Sequence, residues 1–294
     1  MNNEVMTETG FAYAKVNISL DIVSKMDDGY HNMKMVMQTV SLKDEITIKC
    51  VPGEGVKVDA GLPFLPSDNR NIAAKAALAF FGHTGIYGYN TRIKMKKNIP
   101  VCAGLGGGSS DGACVLRMLD KMFKTSLGRK TLEEIGLSIG SDVPFCIDGG
   151  TSLAEGRGEL LTNLTPIPKC YVLICKPPFS CSTPVLFGKI KCDKIRSRPD
   201  TDGIIAALSQ GDLSGVARRM YNVFEDVMTK GARDIADIKN AMLDKAALGT
   251  VMTGSGPSVI GLFEKEEDAK GALEFLNRGY KECYLAETVE RLGV

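Results

Sequence analysis

The stretch Pro100-Val101-Cys102-Ala103-Gly104-Leu105-Gly106-Gly107-Gly108-Ser109-Ser110-Asp111 decides how this chain is read. Four of the five residues from Gly104 to Gly108 are glycine, and Val115, Leu116, Leu119, Met122 and Phe123 follow at helical spacing. That pattern predicts a loop feeding a helix N-terminus. Glycine allows positive φ and a close approach of backbone amides to a bulky anion. The helix adds unpaired N–H groups and the positive end of its dipole. A phosphate-binding loop is therefore expected. Ser109, Ser110 and Asp111 taken alone also suit helix capping, but a cap leaves four clustered glycines unexplained.

Two common phosphate loops do not fit. No Gly-Lys-Ser/Thr ending is present, so the pattern with a phosphate-grasping lysine fails. Gly104-Leu105-Gly106 begins like a dinucleotide fingerprint, but Ser109 stands at the third glycine's place. No strand ending in Asp or Glu follows at the ribose-binding distance, where Lys121 to Lys130 instead reads as a polar, basic helix end and turn. Before the loop, Thr91 to Lys97 alternates Ile93 and Met95 with Arg92, Lys94 and Lys96, as a half-exposed strand does.

At 294 residues the chain has room for one large domain or two medium ones. Its 36 basic and 35 acidic residues nearly cancel, so no global field points to nucleic acid or an anionic membrane. No apolar run approaches the roughly 20 residues that span a bilayer. Met1 to Gly10 is polar and acidic, without the apolar core of a secretion signal. Nine scattered cysteines without a Cys-x-x-Cys, and only His31 and His83, argue against a disulfide framework, a zinc site or a histidine-rich metal centre. A cytoplasmic protein, monomer or weak homodimer, without nucleic-acid or membrane partners, is expected.

Phe11 to Val23 alternates, with Ala12, Ala14, Val16, Ile18, Leu20 and Ile22 on one face and Tyr13, Lys15, Asn17, Ser19 and Asp21 on the other. It predicts a long strand with one buried face. Gln38 to Val51 predicts another. Asn71 to Phe81 predicts an Ala-rich helix entered through Ser67-Asp68-Asn69. Thr131-Leu132-Glu133-Glu134 predicts a capping box opening a helix that ends near Gly140. After Gly149-Gly150 come a strand at Tyr171 to Lys176, helices across roughly 202 to 245, strands Thr250–Thr253 and Ser258–Phe263 around Gly254-Ser255-Gly256-Pro257, a helix near 266–277 and a strand near 281–288. This segregation predicts an α+β second half with an antiparallel sheet, and a boundary between 155 and 170.

Phosphoryl transfer to an alcohol needs positioning, charge stabilisation and a carboxylate near the attacking hydroxyl. Gly140-Ser141-Asp142-Val143-Pro144-Phe145 places an acid in a tight loop; alone, Asp142 also reads as a turn residue. Lys15 and Asn17 share the polar face of the first strand, where a solvated lysine is the ordinary expectation.

Taken together, Ala14-Lys15-Val16-Asn17-Ile18-Ser19-Leu20, Asp28-Gly29-Tyr30-His31, the glycine loop, Gly140 to Phe145 and Thr253-Gly254-Ser255-Gly256-Pro257-Ser258 resemble the GHMP superfamily of small-molecule kinases. The triple glycine before Ser109-Ser110, with Asp28-Gly29-Tyr30-His31, resembles a member acting on a cytidine-diphosphate-linked methylerythritol rather than a homoserine or mevalonate kinase.

The resemblance implies an α+β, two-domain GHMP-kinase-like fold. Residues 1–160 would form an N-terminal mixed α/β domain with the phosphate loop and catalytic residues. Residues 161–294 would form a C-terminal domain with a ferredoxin-like antiparallel sheet and helices. Asp142 would be the general base and Lys15 would stabilise developing charge. Pro100, Val101, Cys102, Ala103, Gly104, Leu105, Gly106, Gly107, Gly108, Ser109 and Ser110 would wrap the phosphates of ATP, with Mg²⁺ carried by the nucleotide and no dedicated protein cage. Asn69 would approach the adenine side. Tyr30 and Phe187 would sandwich the cytosine, His31 would hydrogen-bond its edge, and Asn17 and Thr183 would position the substrate. Each has a plainer alternative: core aromatics, a loop histidine, or an N-cap at Thr183 before Pro184. Gly254-Ser255-Gly256 would support the phosphate loop or serve as an ordinary hairpin turn. Before Asp28-Gly29-Tyr30-His31 the family often has an arginine; here stands Lys25-Met26-Asp27, leaving Lys25 as the cation of that turn. Other small-alcohol kinases of the superfamily, a nicotinamide-binding oxidoreductase and a non-catalytic nucleotide-binding module remain alternatives.

Overall fold

A computed structural model of the chain describes residues 4–293; residues 1–3 of the polar N-terminal stretch and residue 294 lie outside it. The first half comprises β1 (Met6–Lys25), β2 (His31–Pro52), β3 (Val56–Asp59), α1 (Ile72–Thr84), β4 (Tyr89–Lys96), α2 (Gly107–Phe123), α3 (Gly128–Leu137), α4 (Val143–Asp148), β5 (Thr151–Gly156) and β6 (Leu160–Asn163). The second comprises β7 (Tyr171–Lys176), α5 (Thr183–Lys189), α6 (Thr201–Ser209), α7 (Leu213–Ala217), β8 (Tyr221–Asn222), α8 (Ala232–Leu243), β9 (Gly249–Met252), β10 (Val259–Phe263), α9 (Glu266–Leu276) and β11 (Glu282–Glu287).

β1 and β2 form a long antiparallel pair from Met6↔Cys50 to Lys25↔His31, and β5 and β4 also pair with β2. The main path of this sheet runs β3-β4-β2-β1-β8. The second sheet has the order β11-β7-β10-β9, with every neighbouring pair antiparallel. A β-α-β-β-α-β path through α8 and α9 in that order is the ferredoxin-like arrangement expected for the second half.

β1 departs from a simple one-faced strand. Its polar face is buried too: Lys15, Asn17, Ser19 and Asp21 are all buried. Its apolar residues also divide between two cores. Ala12, Leu20 and Ile22 join the larger one, while Ala14, Val16 and Ile18 join a second core with Val172, Ile174 and Ile260 of the other sheet. Register shifts between Tyr13 and Lys15 and between Asn17 and Ser19 bracket the exchange. An irregularity in a ladder re-aims side chains, and here it leaves Lys15 and Asn17 buried while their neighbours pack on the second sheet.

The expected boundary at 160 falls inside the first sheet's edge, because β6 runs to Asn163 and pairs with β5. The chain also returns: β8 pairs in parallel with β1 through Ser19↔Tyr221 and Leu20↔Asn222. A two-residue strand has too little periodicity to be legible in sequence.

Two helix starts differ from expectation. The N-cap of α1 is Asn71, not the Ser67-Asp68-Asn69 turn; its side chain accepts from the Ala73 N–H at 2.9 Å and donates to the Pro66 carbonyl at 2.8 Å. Asp68 instead closes a local turn by accepting from the Arg70 N–H at 3.0 Å. α3 begins at Gly128, so Thr131 lies within it and opens no capping box. Asp120 at the end of α2 orders the preceding turn, accepting from the Leu127 N–H at 2.9 Å and the Thr125 hydroxyl at 2.6 Å. Among the described residues no helix is long and apolar enough to cross a membrane.

The β8 return depends on Asn222, which is buried and fully used. It donates to the Met252 and Gly254 carbonyls at 2.7 and 2.8 Å and accepts from the Phe224 N–H at 3.0 Å. Asn222→Ala strands these backbone groups and is expected to lower stability by about 2–3 kcal/mol, read as a reduced midpoint in urea denaturation.

Candidate active site

The glycine loop leads directly into α2. Its N-cap is Gly106 in the left-handed region at φ 66°, and no side chain caps the helix. Ser109, Ser110 and Asp111 therefore do not act as the N-cap, and Gly107 and Gly108 open the helix. Pro100 through Ser109 line a cavity of about 480 Å³. Ser110 is the loop residue that does not line it, because its hydroxyl donates to the Tyr13 carbonyl at 2.5 Å. Asn69 also lies elsewhere, in a neighbouring hollow with Lys57, Ser67 and Asp68, whereas Arg70 and Asn71 line the loop cavity.

The loop is pressed between the two halves of the chain. A Cβ on Gly104 would meet the Thr253 carbonyl oxygen at 2.2 Å, and one on Gly254 would meet the Gly104 oxygen at 2.8 Å. Gly254-Ser255-Gly256 is thus a backbone support for the phosphate loop. Thr253 accepts from the Asn17 N–H at 2.8 Å, tying β1 to the same support.

Lys15 and Asp142 come together as expected, with Lys15 Nζ 3.3 Å from Asp142 Oδ2 and 2.8 Å from Asn17 Oδ1. Asp142 stands just before α4, makes no capping bond, and keeps a 31% exposed side chain facing the buried Lys15. It is not occupied as a turn residue. The Lys15 N–H donates to the Leu105 carbonyl at 3.0 Å, which ties β1 to the glycine loop.

A second cavity, of about 720 Å³, is lined by Tyr30, His31, Asp142, Thr183 and Phe187. It meets the loop cavity at Ser109 and Thr183, which line both. Thr183 lies inside α5 rather than capping it, and its hydroxyl is 2.7 Å from that of Ser255. His31 stacks on Phe187 with ring centroids 5.0 Å apart, and Phe224 supports Phe187 edge-on, also at 5.0 Å. Burial, with Lys25 nearby, lowers the His31 pKa, favouring the neutral ring. Tyr30 is exposed and carries the Arg157 guanidinium above its ring.

Sequence inspection did not single out the buried ions under the loop. Lys97 pairs with Asp44 and, at 2.5 Å, with Asp111. Asp44 also accepts from the Asn98 and Ile99 N–H groups at 2.5 and 2.8 Å. Asp111 Oδ1 is buried without a partner in the protein. The signal was present in Asp111 directly after the serines and Lys97 at the end of a strand, but a lysine there reads equally as a solvated edge.

The structure and this cleft define a GHMP-type kinase. The GHMP kinases N terminal domain family matches residues 71–150, and the GHMP kinases C terminal family matches residues 204–282. The chain is 41% identical over 278 residues to a 4-diphosphocytidyl-2-C-methyl-D-erythritol kinase of Clostridium botulinum, covering 95% of this chain and 99% of that one. It is 42% identical over 279 residues to the enzyme of the same name from Caldicellulosiruptor saccharolyticus, covering 95% and 96%. The crystal structure of a 4-(cytidine 5′-diphospho)-2C-methyl-D-erythritol kinase superposes with a TM-score of 0.81 at 27% identity, over 96% of this chain and 99% of that one. The chain belongs to the 4-diphosphocytidyl-2-C-methyl-D-erythritol kinase family.

The ions beneath the loop make stability depend on pH. Burial, opposed by Lys97 and reinforced by the Asp44 charge, pushes the Asp111 carboxyl up to about 7. The folded chain then holds a proton that the unfolded chain releases. This contribution is present below the ordinary carboxylate pKa and is lost as pH rises toward 7. Urea midpoints between about pH 4 and 7 are expected to fall with rising pH in the wild type and to vary less in Asp111→Asn.

Proposed function

We propose that this chain transfers the γ-phosphoryl group of ATP to the 2-hydroxyl of 4-diphosphocytidyl-2-C-methyl-D-erythritol, giving the 2-phosphate and ADP in the non-mevalonate route to isoprenoid precursors. The observation that carries the reading is the Lys15–Asp142 pair, set beside a glycine loop on one side and an aromatic-lined cavity on the other. The relatives' names supply the substrate.

The loop amides and the N-terminus of α2 receive the phosphates, which suits a helix end with no acidic residue in its first turn. Mg²⁺ carried by the nucleotide would supply charge neutralisation at the phosphates, with Ser109 the loop hydroxyl placed toward it. Of the two serines, Ser109 is the one whose side of the helix lines the cavity, so its hydroxyl is the protein group suited to the metal or a phosphate oxygen. Asp142 accepts the proton of the attacking hydroxyl, while Lys15, held by Asn17, meets the charge that develops as the phosphoryl group moves. Tyr30 and Phe187 take the cytosine between them, His31 faces its polar edge, and Thr183 and Asn17 set the polyol. In this reading residues 1–160 carry the reacting groups, and residues 161–294 bring Thr183 and Phe187 to them.

ADP release with this cytidylyl substrate, run beside homoserine, mevalonate and galactose, is expected to be confined to the first. Turnover only with another alcohol would overturn the substrate assignment. Asp142→Ala is expected to lower turnover by about 10²–10⁴-fold with folding intact; near-normal turnover would remove Asp142 as the base. Tyr30→Ala is expected to raise KM for the cytidylyl substrate more than for ATP, and equal effects would count against stacking.

A further inference from the structure

Arg157 belongs to none of the motifs above, yet it lines the larger cavity. It follows β5 in a turn bounded by Gly156 at φ 70° and Gly158 at φ 113°. The Arg157 N–H is anchored on the Glu159 carboxylate at 2.6 Å. One end of this turn runs close to Asp142, since a Cβ on Gly158 would lie 3.8 Å from Asp142 Oδ1. The side chain reaches Tyr30, placing its guanidinium carbon 4.1 Å from the ring centroid, and pairs through Nη2 with Asp28. Arg157 thus bridges the stretch of cavity wall between the catalytic carboxylate and the aromatic end.

Two further features suit this guanidinium to an anion. Its pair with Asp28 is solvent-exposed, at 39% and 41% for the two side chains, and such pairs are weak. Among the described residues no other side-chain or carbonyl oxygen accepts from its Nε or Nη1. Lys25 lines the same cavity and adds a second positive charge. A planar guanidinium matches phosphate oxygens with paired donors, and its place over Tyr30 restricts the orientations of that fork.

We propose that Arg157 holds the diphosphate of the substrate and thereby makes the cavity select a nucleoside diphosphate over an uncharged nucleoside. This rests on the proposed cytidylyl substrate, in which the diphosphate lies between the base and the polyol. With the base at Tyr30 and the reacting hydroxyl at Asp142, the diphosphate falls along the wall that Arg157 occupies. The turn bearing Asp28 and Tyr30 keeps the guanidinium in place, and the phosphate oxygens take the donors that Asp28 does not.

Titration calorimetry of the full-length protein with cytidine and with CDP separates this role from stacking. Wild type is expected to bind CDP at least about tenfold more tightly than cytidine. Arg157→Gln is expected to lose about that factor for CDP while binding cytidine within about twofold of wild type. Arg157→Lys, which keeps the charge without the fork, is expected to fall between. In turnover assays Arg157→Gln should raise KM for the cytidylyl substrate about tenfold and leave KM for ATP and kcat within about twofold. Unchanged CDP binding in Arg157→Gln overturns the proposal. Equal loss of cytidine and CDP also overturns it, and reduces Arg157 to a support for Tyr30. Wild type that binds ATP but neither cytidine nor CDP would overturn the cytidylyl reading itself. Retained folding is checked by the thermal midpoint of each variant.

Discussion

Backbone-to-backbone contact between Gly104 and the Thr253–Gly254 segment is the constraint on which the cleft depends. A side chain at Gly104 would be driven into the Thr253 carbonyl, and Gly104 also holds φ 77°. Only glycine meets both demands without strain. This contact fixes the phosphate loop against the second sheet, while the Lys15 N–H to Leu105 carbonyl bond fixes it against the first. Gly106 then lies so close that a Cβ there would meet Lys15 Cγ at 2.7 Å. The loop glycines are therefore as much about where Lys15 can stand as about room for an anion.

The charges around the loop are arranged in depth. Lys15 and Asp142 lie at the mouth, where Asp142 keeps partial access to solvent. Lys97, Asp44 and Asp111 lie beneath, almost fully buried, with one more carboxylate than ammonium. Burying such a cluster is costly unless its atoms are paired, and Asp44 is well served by two backbone N–H groups. Asp111, with an oxygen left over, bears the surplus and rises in pKa. Its position in α2 means that the helix that follows the glycine loop is itself anchored through Lys97 to the end of β4. The loop geometry is thus held from below by ions and from the side by backbone.

Much of this was legible because the decisive residues sit in short, strongly biased segments. The glycine cluster, the alternation of β4 at Ile93 and Met95, and the β7, β9, β10 and β11 strands with their helices followed from local pattern. The meeting of Lys15 with Asp142 did not. Their positions in the chain carry no distance information, and each alone had an ordinary surface or turn explanation. The order of motifs along the chain, matched to a family, supplied that link. β1 departs from its pattern in a particular way: period-two alternation assumes an unbroken ladder, whereas register shifts hand Ala14, Val16 and Ile18 to a different core from Ala12 and Leu20. The entry expected at Ser67-Asp68-Asn69 lies one turn early, because Asp68 closes a local turn with Arg70 and the capping bond to Ala73 comes from Asn71. Arg157 escaped because nothing local distinguishes it from a solvated turn arginine.

The aromatic end of the cleft illustrates why stacking alone is a poor source of selectivity. Phe187 already carries the His31 ring on one face, and Tyr30 carries the Arg157 guanidinium. In the proposed reading, a base that stacks on Phe187 exchanges the His31 contact for another of similar kind, so the net gain is smaller than a new stacking contact would give. Polar groups behave differently, because a charged fork or carboxylate is matched only by a partner of complementary charge and geometry. In the proposed reading, discrimination in this cleft rests on groups that demand a specific partner: the polar edge of His31, the donors of Arg157 and the carboxylate of Asp142. The rings provide the surface on which those groups are held in register, and the charged ends decide which molecule can satisfy all of them at once.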